Sequence, residues 1–415
     1  MVFNKFIQCN ACKMKIQLRI QMGFFDIPFH IHCPKCDSTI SGKIFIEEKK
    51  INVEGADIVG VECNDEEFYS VELSAEFPTR KIIHKKINEI ELSPFIRYYM
   101  MGDNLVERTT KTMLFAKFIK YGLSDMKQNF ELLWNNQEKV LFAKIREKIK
   151  KNPCNILDAV MILHQFLITQ TGISSVIGEK CLEEYIKIGK LIIGETDYIS
   201  QIVEFIVENQ IDFNGIEKKG FKLIELFAKV YEQLIPVIVL KDGDYLKDVD
   251  RKEYGIMTAN FDELSDFYAK SYEWILDNLY VILGLNNIFV RNDSTKCVNG
   301  KTYQNFIKEA KGNRLKNGYI DEKEPFSRPI NSLNNRVRNA IQHFDSDINY
   351  ETQLIIFNDR NKQVELYLID FADLCIENFR IIFYILEIVY DLRKISLIQD
   401  GNVPIFAKGK VKKDK

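Results

Sequence analysis

The sequence predicts a mainly α protein: a small N-terminal β zinc ribbon, a central helical domain, and a C-terminal helical bundle with an inserted β-hairpin. Three observations carry that prediction. Two Cys-x-x-Cys pairs lie near the start, flanked by short alternating runs. Apolar residues then recur at helical spacing through most of 105–240 and 261–395. Two strand-like runs, 352–357 and 363–368, interrupt the last helical stretch.

Composition narrows the classes. The chain is long enough for roughly two to four domains. Its apolar fraction, 46%, is that of an ordinary globular protein. Lys+Arg 57 against Asp+Glu 59 leaves a net charge of -2, which excludes a large uniform basic surface. Any nucleic-acid contact must therefore be a local cleft. The start runs straight into the first cysteine pair, so no secretory signal is expected. No run reaches the ~18 apolar residues a membrane span needs. The most apolar, 381–390, contains Glu387. These features predict a soluble protein of the reducing cytoplasm with no membrane partner.

Residues 1–46 carry Cys9, Cys12, Cys33 and Cys36, with 20 residues between the pairs. That spacing fits the zinc template of two Cys-x-x-Cys knuckles. Four thiolates close a tetrahedral Zn²⁺ site and leave no open position for substrate, so the metal is expected to be structural. It would replace a core too small to form alone, or the ribbon would also touch nucleic acid or a partner. His30 and His32, beside Cys33, could substitute as ligands, although four cysteines suffice. Residues 47–104 continue with alternating runs at 57–62 and 68–73 and read as a small β-rich extension, with Cys63 an isolated packing or surface residue.

Residues 105–245 read as a helical domain of roughly five to seven helices of ordinary length. Breaks are expected at Pro153, Gly172, Gly189, Gly194 and Gly215. His164 sits in an apolar face and reads as a satisfied core histidine; the basic run 144–151 reads as a solvated face. The polar stretch 241–253 is the expected linker. In 255–397, Asn260 with Glu263 forms an N-cap pair for a helix over 261–283, ended by Gly284. A helix near 302–311 and a loop over 312–329, with Arg314, Lys316, Lys323 and Arg328, follow. Ser332 is expected to cap the next helix. The final helix, about 369–395, is apolar nearly all round, which marks a core helix or a dimer helix. The tail 398–415 is basic and would attract RNA weakly.

One stretch concentrates chemistry: residues 333–343, holding Arg338, Asn339 and His343. Cutting RNA without a metal requires a proton taken from a ribose 2′-OH and one given to the leaving 5′-oxygen. Histidine can do either near neutral pH. A guanidinium can grip two phosphate oxygens as charge builds on them. Asn339 could orient either side chain or the phosphate. Five residues turn an ideal helix by roughly 500°, so Arg338 and His343 lie about 140° apart. Either the helix ends near His343, or a second helix completes the site, as an isologous dimer would provide. Arg336 shares the histidine's face more closely and is the alternative arginine, or a phosphate contact.

At Arg338, Asn339 and His343 the chain resembles the HEPN superfamily, whose mark is Arg, four to six residues, then His, with Asn, Asp or His often after the Arg. The resemblance covers about 255–397. It implies a helical bundle, here elaborated by the hairpin, and a homodimer with a shared cleft. It implies a metal-independent endoribonuclease acting on RNA to leave 2′,3′-cyclic phosphate and 5′-OH ends, with no cofactor for catalysis. It implies a toxin or anti-phage defence effector, and a chain with front modules suits a nuclease held in check by a regulatory protein or until a trigger molecule arrives. A non-catalytic module binding nucleic acid, a nucleotide or a protein partner is the alternative. Phosphate-binding loops and zinc-protease motifs are missing from the sequence, and Asp345 and Asp347 read as turn residues.

Overall fold

The computed structural model describes residues 2–60, 69–83, 93–97, 105–315 and 318–404. Cys63, Lys316 and the tail beyond residue 404 lie outside them. The chain is mainly α with a small N-terminal β region. Strands β1 (Val2–Cys9), β2 (Lys15–Gln21), β3 (Ile27–His32), β4 (Thr39–Phe45), β5 (Lys50–Glu54), β6 (Ala56–Val59) and β7 (Tyr69–Leu73) form two sheets, ordered β6-β1-β2-β7 and β3-β4-β5. The first sheet joins strands from both sides of residue 46, so ribbon and extension are built together. Strands β8 (Thr79–Arg80) and β9 (Tyr254–Gly255) pair, and β10 (Ser346–Asn349), β11 (Leu354–Asp359) and β12 (Lys362–Tyr367) make a third sheet. The expected hairpin is thus three-stranded, with β10 antiparallel to β11.

Two compact units emerge, and they are not consecutive in sequence. One comprises Met1–Leu105, Leu226–Lys270 and Asn334–Glu377; the other comprises Val106–Glu225, Ser271–Leu333 and Asn378–Lys415. The segmentation expected from linkers, with cuts at 104, 245 and 255, differs because helices Phe213–Asp242, Phe261–Arg291 and Leu368–Gln399 each supply residues to both units.

In the first unit, β2 is interior to its sheet and buries polar residues: Gln17 and Arg19 are each 1% exposed. Arg19 is the register partner of Glu72 on parallel β7, and its Nε donates to Glu72 Oε1 at 3.0 Å. Asn260 caps its helix as expected, its side chain accepting from the N–H groups of Asp262 (2.9 Å) and Glu263 (3.2 Å). The Glu263 side chain does not reach back; it accepts from Gln233 instead, while the Asn260 N–H donates to Gln233 Oε1. The expected linker is a folded turn. Arg251 ties it down by donating to the carbonyls of Leu246 and Val249 and to Asp370.

In the second unit, Gly284 does not end a helix; the helix runs on to Arg291. A Cβ at Gly284 would collide with the Phe205 ring, so this glycine serves close packing. Gly189 likewise lies inside helix Glu179–Gly194, where a Cβ would collide with the Asp391 carboxylate. Gly172, at φ +73, is a true break. Every residue from 381 to 390 is buried, so that part of the final helix is a core helix. Among the described residues, no helix is long and apolar enough to cross a membrane.

Candidate functional site

The four cysteines meet as two matching turns. In the first, the Cys9 N–H donates to Met14 C=O (2.9 Å) and the Lys13 N–H to Cys9 C=O (3.0 Å). In the second, the Cys33 N–H donates to Ser38 C=O (2.9 Å) and the Asp37 N–H to Cys33 C=O (2.8 Å). Each turn closes through a left-handed residue, Lys13 at φ 60 and Asp37 at φ 59. The same backbone pattern built twice turns each pair of thiols toward one point. The four sulfurs lie within 4.8 Å of one another, with Cys9–Cys36 at 3.7 Å and Cys12–Cys33 at 3.5 Å. A tetrahedron of sulfurs around an ion at ~2.3 Å has edges of about 3.8 Å, so this cluster could hold a metal ion.

The first cysteine of each pair is buried and Cys36 is exposed. Burial pushes the Cys33 thiol up to about 12. Burial also opposes ionisation of Cys9. There the Ser38 hydroxyl and the N–H groups of Cys12 and Ala11 outweigh it and hold the thiol at about 6. Ser38 Oγ sits 3.1 Å from Cys9 Sγ and 3.2 Å from Cys36 Sγ, a supporting contact the cysteine spacing could not reveal. His30 and His32 are outside the cluster. His32 Nδ1 bonds Asp37 (3.0 Å), its ring stacks on Tyr350 (4.0 Å between centroids), and the His30 N–H donates to Met257 C=O.

The Arg–His segment forms a short helix, Asn335–Gln342. Asn334, not Ser332, is its N-cap: its side chain accepts from the N–H groups of Arg336 (3.2 Å) and Val337 (3.4 Å). Ser332 lies in the preceding 3-10 turn, Arg328–Ser332. Val337 and Ala340 are fully buried and anchor one face; Arg336 is exposed on another. The helix stops in a Schellman motif, with the Asp345 N–H bonded to Ala340 C=O (2.9 Å) and the Phe344 N–H to Ile341 C=O (3.1 Å). His343 is therefore the C-cap residue and is exposed, so of the alternatives the spacing left open the helix does end at the histidine. Phe344 takes the left-handed position at φ 55, where glycine is usual, and is 95% exposed.

Arg338 and Asn339 are half-buried. Arg338 Nη1 donates to Asn339 Oδ1 at 2.8 Å, and Asn339 Nδ2 donates to Asp359 Oδ2 at 3.3 Å. Asp359 ends β11, beside a two-residue turn in which Arg360 has φ 58. The turn after His343 is fixed to the same strand: the Asn358 N–H donates to Asp345 C=O (2.9 Å) and Asn358 Nδ2 to Asp345 Oδ1 (3.1 Å). The three-stranded sheet thus borders the Arg–His segment directly. Its residues Asn358 and Asp359 belong to the candidate site, although nothing in their local sequence marks them.

No protein-family model, characterised protein or solved structure matches the chain.

Proposed function

We propose that the chain is a metal-independent endoribonuclease of HEPN type and that the four-cysteine cluster holds a structural Zn²⁺. One observation carries the reading. The guanidinium of Arg338 is positioned through Asn339 and Asp359, while the imidazole of His343 is left exposed at the end of the same helix. In this scheme, His343 takes the proton of a ribose 2′-OH, and the 2′-oxygen attacks the adjacent phosphorus. The bond from phosphorus to the 5′-oxygen breaks, and that oxygen leaves as a hydroxyl with a proton from a second acid. The products are a 2′,3′-cyclic phosphate and a 5′-OH end. Arg338 balances charge on the phosphate oxygens, with Arg336 as a further contact. A second copy of the chain supplies the second imidazole through an isologous contact. By the same resemblance the cellular role is that of a toxin or anti-phage defence effector under a regulatory partner.

The experiment is cleavage of single-stranded RNA in excess chelator by protein loaded with zinc beforehand. His343→Ala and Arg338→Ala should each abolish cutting with the thermal transition unchanged, and mapped ends should carry cyclic phosphate. Folded variants that cut like the parent would sink the reading.

A further inference from the structure

The second unit holds a cleft of about 580 Å³, within the range of small-molecule sites. Its walls are apolar, with Met161, Ile168, Ile186 and Ile193 among them. Its floor is not. His164, Glu387 and Asp391 are 8%, 3% and 4% exposed, and Lys394 joins them. His164 is satisfied, as the sequence suggested, but its partners are charged rather than apolar. Its Nε2 lies 2.8 Å from Glu387 Oε1 and its Nδ1 lies 2.8 Å from Lys394 Nζ, which also donates to Asp391 Oδ1 at 2.8 Å. An ammonium can only donate, so Nδ1 accepts and the ring proton sits on Nε2, bonded to Glu387. Two carboxylates, Glu387 and Asp391, thus lie with one half-buried lysine, Lys394, at the bottom of an apolar cleft whose other lysine, Lys190, is exposed.

Four ionisable groups there are a poor way to stabilise a helical core, since apolar residues of similar volume usually do as well or better. Burial also pushes the Asp391 carboxyl up, against the nearby Lys394 ammonium. Convergent polar groups at the end of an apolar cleft are the ordinary form of a ligand site. We infer that this cleft binds a small organic cation, an amine or amidine on an apolar body, whose charge meets Glu387 and Asp391 while its body lies against Ile186 and Ile193. This site lies in the other unit from the Arg–His segment, and the inference does not depend on the nuclease reading.

Three probes with one alkyl chain and different heads test it by calorimetry on the intact 415-residue chain: hexylammonium, hexan-1-ol and hexanoate. Hexylammonium should bind at least about tenfold more tightly than the alcohol, and hexanoate most weakly. Glu387→Gln keeps an oxygen for His164 Nε2 and removes the charge; it should bring hexylammonium to the level of the alcohol and leave the alcohol unchanged. Gly194 borders the cleft, and a Cβ there meets nothing within 4 Å, so Gly194→Trp should block all binding without disturbing the floor. Equal affinities for the three heads, no heat with hexylammonium, or full binding by folded Gly194→Trp would each overturn the assignment.

Discussion

Asp359 accepts a hydrogen bond from Asn339 at 3.3 Å, joining the hairpin to the residue that holds Arg338. The guanidinium is therefore placed by a strand 20 residues downstream of its neighbour. On the proposed nuclease reading, Asp359→Ala should leave folding intact and lower RNA cleavage by up to about 10²-fold, since misplacing a catalytic group by an ångström can cost that much. Asp359→Asn, which still offers an oxygen, should recover part of the loss. If single-turnover cleavage by Asp359→Ala equals that of the parent, Asp359 does not position the site.

The left-handed backbone at Phe344 gives a stability prediction. A side chain at φ 55 is disfavoured, and an exposed ring contributes little packing in return. Phe344→Gly should raise the unfolding free energy by about 0.5–1 kcal/mol, read from urea denaturation. A loss of stability would mean that the ring makes contacts its exposure does not suggest.

Metal removal should act on the N-terminal sheets. If the cluster holds the proposed zinc, a strong chelator should strip one ion per chain and open the turns at 9–14 and 33–38, seen as fast amide exchange there. Cys9→Ser and Cys33→Ser should each lose the metal, because the buried thiolate has no substitute. Since protons compete with metal for thiolates, zinc affinity should fall as pH falls. Amide exchange unchanged by the chelator would rule out a structural metal.

Lys81 gives a pH dependence. Its Nζ donates to the carbonyls of Arg251 and Thr352 and lies over the Tyr367 ring, 4.6 Å from the centroid. Burial lowers its pKa from the ordinary 10.5 to about 8. The unfolded chain then holds this proton more tightly than the folded one between pH 8 and 10.5. Folding stability should therefore rise with pH across that window, relative to Lys81→Met, which lacks the titrating group. A flat or falling difference would show that the two carbonyls stabilise the ammonium more than burial penalises it.

What the sequence alone determined was set by neighbours along the chain. The two Cys-x-x-Cys pairs announced a four-thiol cluster, because each pair folds as its own turn. Asn260 announced a helix start, because a cap reaches only the next N–H groups. Apolar spacing announced the long helices, because one face of each must be buried. What only the tertiary structure decided lies between residues far apart. Arg19 is buried because Glu72 arrives from another strand. Gly284 is a packing residue because Phe205 presses on it. Asp359 reaches Asn339, and Glu387, Asp391 and Lys394 gather around His164. A buried charge or a missing Cβ is stable only against its partner, and local spacing carries no record of which distant partner the fold delivers.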